Sequence, residues 1–265
     1  MVLELHEPCQ PESSVTDQRE FNADEEISAQ KPEKLINLPP VVLIVIGVLV
    51  AIHLGLQFLK PTDRTWVEFA FAFTPARFGA APFPQIPGSA YWSMLTYGFL
   101  HADWIHLATN SLWLAIFSKP VATWLGTWRY LLILTLSVIA GAVAGLIVHW
   151  GQLVIMVGAS AGVSGILAAA IPIMYGTTDR KPGEPEGLFY RFRPLTLREL
   201  FTNQRALSFT VMWLGLTMIT ATSQYLTGTA FLEERVIAWE AHLGGFVAGL
   251  IAFYILNRKT VSLQT

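Results

Sequence analysis

The stretch VGASAGVSGILAAAIPIMY, residues 157–175, decides the fold class. It is uncharged and, at about 1.5 Å per residue, close to the length needed to cross a hydrocarbon core of roughly 30 Å. Five further apolar segments lie near 39–58, 104–122, 130–150, 207–227 and 237–256. Only helices and closed barrels satisfy the backbone in lipid. Continuous apolar runs, rather than the alternation of barrel strands, predict helices. The segment 104–122 is the weakest of the six, because His106, Asn110 and Lys119 interrupt it. The expected fold is an all-α integral membrane protein, a multi-pass bundle of six transmembrane helices spanning residues 39–258.

Composition points the same way. The chain has 265 residues, 53% hydrophobic and 14% charged, where a soluble domain has about 25% charged. Residues 1–38 hold nine of the nineteen acidic residues and only Arg19, Lys31 and Lys34 as basic ones. This leader is polar, contains Pro8, Pro11 and Pro32, and lacks the apolar core of a signal peptide. It is expected to be a disordered acidic cytoplasmic tail, and residues 259–265 a second, short cytoplasmic tail. Cys9 is the single cysteine, so no intrachain disulfide forms and no oxidising compartment is required. No cofactor and no nucleic-acid partner are expected.

The basic residues set the orientation. With the N-terminus inside, thirteen Lys and Arg fall on the cytoplasmic side and four (Lys60, Arg64, Arg77, Arg235) outside. That bias places both termini in the cytoplasm. The external stretch 59–103 carries Trp66, Phe69, Phe71, Phe73, Phe78, Tyr91 and Trp92, the composition of an element lying in the headgroup region. The internal loop 176–206 carries six basic residues, suited to anionic lipid or simply to fixing the topology.

Three polar patches interrupt the apolar segments: His106 with Asn110, Ser160 after Gly158, and His242 before Gly244 and Gly245. Polar groups at membrane depth mark function unless they have a structural partner. Here they supply a nucleophile, a candidate base and candidate oxyanion donors, the parts of a protease working inside the bilayer. The second, fourth and sixth segments all run from outside to inside. His106 and Asn110 lie in the first turns of one, Ser160 at the start of the next, and His242 about five residues into the last. All three patches therefore share one shallow depth on one side. His106 and Asn110, four residues apart, share a helix face. Gly245-x-x-x-Gly249 and the small stripe Gly158, Gly162, Gly165, Ala169 allow the fourth and sixth helices to approach closely.

Two serines compete. Gly162-Val163-Ser164-Gly165 has the better literal Gly-x-Ser-Gly pattern. An acyl-transfer site, however, needs free backbone N–H donors for its oxyanion, and these exist only in the first turn of a helix. Ser160 sits there, with Gly158 as an auxiliary. Ser164 is one turn deeper, where its N–H is bonded to the Ser160 carbonyl. Blander readings remain open: Ser160 as a helix-packing serine, His106 and His242 with His101 as metal ligands, or a transporter core. His53 and His149 each stand alone near a helix end. The nearby acids, Asp103 and Glu240, read as facing the mouth of the site.

Together these motifs, His106-x-x-x-Asn110, Gly158-Ala159-Ser160-Ala161-Gly162-Val163-Ser164-Gly165 and Ala241-His242-x-x-Gly245-x-x-x-Gly249, resemble the rhomboid intramembrane serine proteases, over a core of about 88–256. The chain departs at Ala161, where the family usually carries glycine. The resemblance implies a Ser–His dyad without a carboxylate, cleaving transmembrane protein substrates, single-span ones among them, near their outer ends. It implies Ser160 as nucleophile, His242 as base, His106 and Asn110 as the oxyanion-stabilising pair, and His101 as an auxiliary histidine. No metal is implied, and the setting fits a bacterial inner membrane, with lipid as the surrounding partner. The rival within this resemblance is a non-catalytic relative that binds membrane helices.

Overall fold

The computed structural model describes residues 37–80, 83–84, 86–179, 191–226 and 238–262. Contacts divide the chain into Met1–Asn37 and Leu38–Thr265. The acidic tail of residues 1–38 lies almost wholly outside the described residues, as does the end of the C-terminal tail.

In chain order the elements are α1 (Pro40–Gln57), α2 (Pro61–Phe71), α3 (Ser89–Thr96), α4 (Trp104–Leu125), α5 (Thr127–Val148), α6 (Ser160–Met174), β1 (Thr177–Asp179), β2 (Arg191–Arg193), α7 (Leu197–Thr202), α8 (Gln204–Leu226) and α9 (Trp239–Ser262). Six long helices thus fall on the six apolar segments. The antiparallel β1–β2 ribbon is an addition to the all-α expectation. Among the described residues three helices, Pro40–Gln57, Thr127–Val148 and Trp239–Asn257, are long and apolar enough to cross a membrane, and α6 is apolar but shorter.

Local chemistry sets the helix ends. Asp103 caps α4 by accepting the His106 N–H at 2.8 Å. Gly126, at φ +82°, is the single residue between α4 and α5, and its left-handed backbone suits glycine. Thr196 and Glu199 form a capping box on α7, and the Arg193 fork binds Glu199 at 2.7 and 2.8 Å.

Helix α6 is the centre of the bundle, buried from Ala161 to Ile173. A helix apolar all round belongs in such a position. The surrounding helices turn Ile44, Ile105, Leu112, Ile147, Val211 and Ile255 outward, each more than half exposed. An apolar surface of this extent fits lipid better than water.

Glycines bring α5, α6 and α9 into backbone contact. A Cβ added at Gly245 would strike the Ala161 carbonyl, and one at Gly249 would strike the Gly165 backbone. On α5, a Cβ at Gly141 would come within 2.5 Å of the Ala161 methyl and 3.1 Å of the Ala241 carbonyl. Small residues let helices approach where no hydrophobic force drives them together. At one end of the bundle the His53 ring meets Trp104 edge-on at 4.5 Å, joining the end of α1 to the start of α4. At the other end Trp124 donates to Asn257 Oδ1 at 2.8 Å, joining the ends of α4 and α9. Helices α4 and α9 therefore run parallel.

The 59–103 stretch divides its aromatics. Trp66 and Tyr91 are exposed, while Phe73 and Tyr97 are buried. Trp92 donates to the Ala70 carbonyl at 2.9 Å and Thr96 to the Phe71 carbonyl at 2.8 Å. Arg77 binds the carbonyls of Ala72 and Phe69. Part of this stretch is thus a folded cover rather than a surface element alone.

Candidate active site

The segment leading into α6 is held from two sides. Phe73 and Met156 exchange backbone hydrogen bonds of 3.1 and 2.8 Å, and the Gly158 N–H donates to the Tyr97 carbonyl at 3.0 Å. Tyr97 is fixed in turn by its hydroxyl, which donates to the Val138 carbonyl at 2.8 Å. The 59–103 stretch therefore positions the backbone just before Ser160. Sequence reasoning missed this role, since the hydrogen bonds belong to the main chain and leave no side-chain signature.

Gly158 adopts φ +119°. A Cβ there would lie 2.6 Å from His106 Cε1, 2.7 Å from His106 Nε2 and 3.7 Å from Asn110 Nδ2. The two α4 residues thus stand directly over the loop that ends at Ser160. Gly158→Ala should cost about 1–3 kcal/mol, through strained backbone and the clash with His106. Its thermal midpoint should fall, whereas Gly47→Ala, with nothing within 4 Å, should leave the midpoint unchanged or raised.

Ser160 is the first residue of α6, after Ala159 at the cap, so its N–H has no intrahelical acceptor. It is partly exposed. Ser164 is 1% exposed, with a hydroxyl that has no hydrogen-bond partner. Asn110, itself buried, donates to the His106 carbonyl at 3.1 Å. The His101 ring meets His106 edge-on, with centroids 5.2 Å apart. Burial, with His106 and His53 nearby, pulls His101 down to about 3, so this ring is neutral at physiological pH. An apolar cavity of about 340 Å³ lies beside it, lined by Phe69, Phe73, Leu100 and Val157 among others.

His242 lies in the first turn of α9, fewer residues into its helix than the sequence implied. It is within electrostatic reach of His106. It is also one turn before Gly245, which touches Ala161, the neighbour of Ser160. The Ser160 hydroxyl and the His242 ring share no hydrogen bond in this resting arrangement. Such bonds are often long in unliganded enzymes and tighten with substrate. Among the described residues no group of three His, Cys, Asp or Glu side chains could hold a metal ion.

Two sequence readings need correction. Glu240 does not face the mouth: it is 3% exposed and lies 3.0 Å from His149 Nε2. His149 therefore does not stand alone. His53, also read as alone, packs on Trp104 with its Nδ1 unpartnered. The departure at Ala161 has a structural account. Its methyl is fully buried and turned to α5, where Gly141 leaves room for it.

Residues 88–182 match the family model of the rhomboid domain. Over 199 residues the chain is 24% identical to the rhomboid protease GlpG of Photorhabdus laumondii subsp. laumondii, covering 74% of this chain. The chain is thus similar to rhomboid proteins, with the domain match falling on residues 88–182. The rhomboid domain match includes His101, His106, Asn110 and Ser160 and ends before His242. The alignment spans 57% of the length of that rhomboid relative.

Proposed function

We propose that this protein is a rhomboid-type intramembrane serine endopeptidase that cleaves transmembrane protein substrates near the outer face of the membrane. One observation carries the reading: His106 and Asn110 stand against Gly158, two residues before a helix-starting Ser160, and His242 lies one turn before Gly245, which packs on Ala161. His242 takes the proton from the Ser160 hydroxyl as its oxygen attacks a peptide carbonyl, then returns it to the leaving amine. The oxyanion is received by the Ser160 N–H, the Asn110 amide and His106. One such donor is worth about 2.7–4 kcal/mol in the transition state. Water then resolves the acyl-enzyme, entering from the outer side.

Six spans, with both termini in the cytoplasm, complete the proposal. The positive-inside bias supports it, as does the parallel course of α4 and α9. The starts of α4, α6 and α9 then lie on the outer side of a bacterial inner membrane.

The test is reconstitution in liposomes with a single-span substrate. Wild type should cleave it once, near its outer end, and His242→Ala should not. Substrate bound but uncleaved by the wild type would replace this reading with that of a helix-binding relative.

A further inference from the structure

We propose that Glu240 and His149 form a positioning pair that sets the roll of α9 and so aims His242 at Ser160, an inference that rests on the function proposed above. Glu240 is the second residue of α9 and His149 follows the last residue of α5. Their Oε1–Nε2 separation is 3.0 Å, with the carboxylate buried and the imidazole side chain 19% exposed. The contact is a close approach without hydrogen-bond alignment, since Glu240 Oε1 accepts no hydrogen bond. The other His149 ring nitrogen, Nδ1, lies 3.4 Å from Gln152 Oε1.

Placement gives the pair its effect. A carboxylate at a helix start interacts favourably with the helix dipole. A buried carboxylate that loses its partner is costly and draws water or backbone toward itself. Successive helix residues turn by about 100°, so Glu240 and His242 point to nearly opposite sides of α9. Glu240 faces α5, as does the Ala241 carbonyl beside Gly141. His242 shares its side of α9 with Gly245, which packs on Ala161, the neighbour of Ser160. Anchoring residue 240 to α5 therefore fixes the direction of residue 242. Nothing covalent changes, and neither residue of the pair touches the reacting atoms.

The experiment measures kcat and KM for a single-span substrate in proteoliposomes. It compares wild type, His149→Ala, Glu240→Gln and the double variant His149→Ala/Glu240→Gln. His149→Ala leaves the carboxylate buried and uncompensated, and should lower kcat about tenfold with KM unchanged. The double variant removes that charge and should recover most of the loss, a non-additivity expected of residues in contact. A loss that appears in KM rather than kcat, or a double variant as slow as His149→Ala, overturns the positioning role. So does His149→Ala at wild-type kcat. Absence of cleavage by the wild type would instead overturn the protease reading, and the pair's role with it.

Discussion

Ser160→Ala should abolish cleavage of a single-span substrate in liposomes, while Ser164→Ala should retain it within about an order of magnitude of wild type. Loss of a serine-protease nucleophile costs on the order of 10⁶ in kcat. Ser160 alone combines partial exposure, a free N–H and His106 and Asn110 one loop away. Ser164 offers a buried hydroxyl, its N–H committed to the helix. Truncating Ser164 empties a small volume in the core, which affects stability more than chemistry. The reverse pattern, with Ser164→Ala inactive and Ser160→Ala active, would contradict the assignment despite the better literal motif around Ser164.

Gly249→Leu should prevent the bundle from closing. The added side chain would meet the Gly165 backbone, which cannot retreat, because a Cβ at Gly165 would itself strike Ser137 and the Gly245 carbonyl. Overpacking between two backbones should cost at least about 3 kcal/mol, at or beyond the upper end of the usual range. The expected result is a large drop in thermal midpoint in detergent and loss of the folded species in size-exclusion chromatography. Gly215→Leu on α8 is the control, since nothing lies within 4 Å of its added Cβ. A normal midpoint for Gly249→Leu would mean that α6 and α9 are not packed backbone to backbone.

Most of this architecture was legible in the sequence. Six apolar segments gave six long helices, because in lipid the backbone has no alternative to internal hydrogen bonding. Gly245 and Gly249 announced the α6–α9 contact, because close packing leaves room for no larger residue. The juxtaposition of His106 and Asn110 with the Ser160 loop followed from alternate helices starting at one end.

What escaped the sequence depends on contacts between distant residues. Glu240 reads as a solvated acid until His149, ninety-one positions earlier, is placed beside it. The methyl of Ala161 reads as a departure from the family pattern until Gly141 is seen to receive it. The bonds from Phe73 and Tyr97 to the loop before Ser160 run through main-chain atoms, which any residue carries. The later start of α9 and its extension past the apolar run to Ser262 are helix boundaries, to which hydropathy is blind.

The most direct test of the central claim is covalent trapping with a serine-directed phosphonate, the adduct located by peptide mass spectrometry in the reconstituted protein. A single adduct on Ser160, lost in His242→Ala, is the predicted result. An adduct on Ser164, or none on a preparation that still cleaves its substrate, would contradict it.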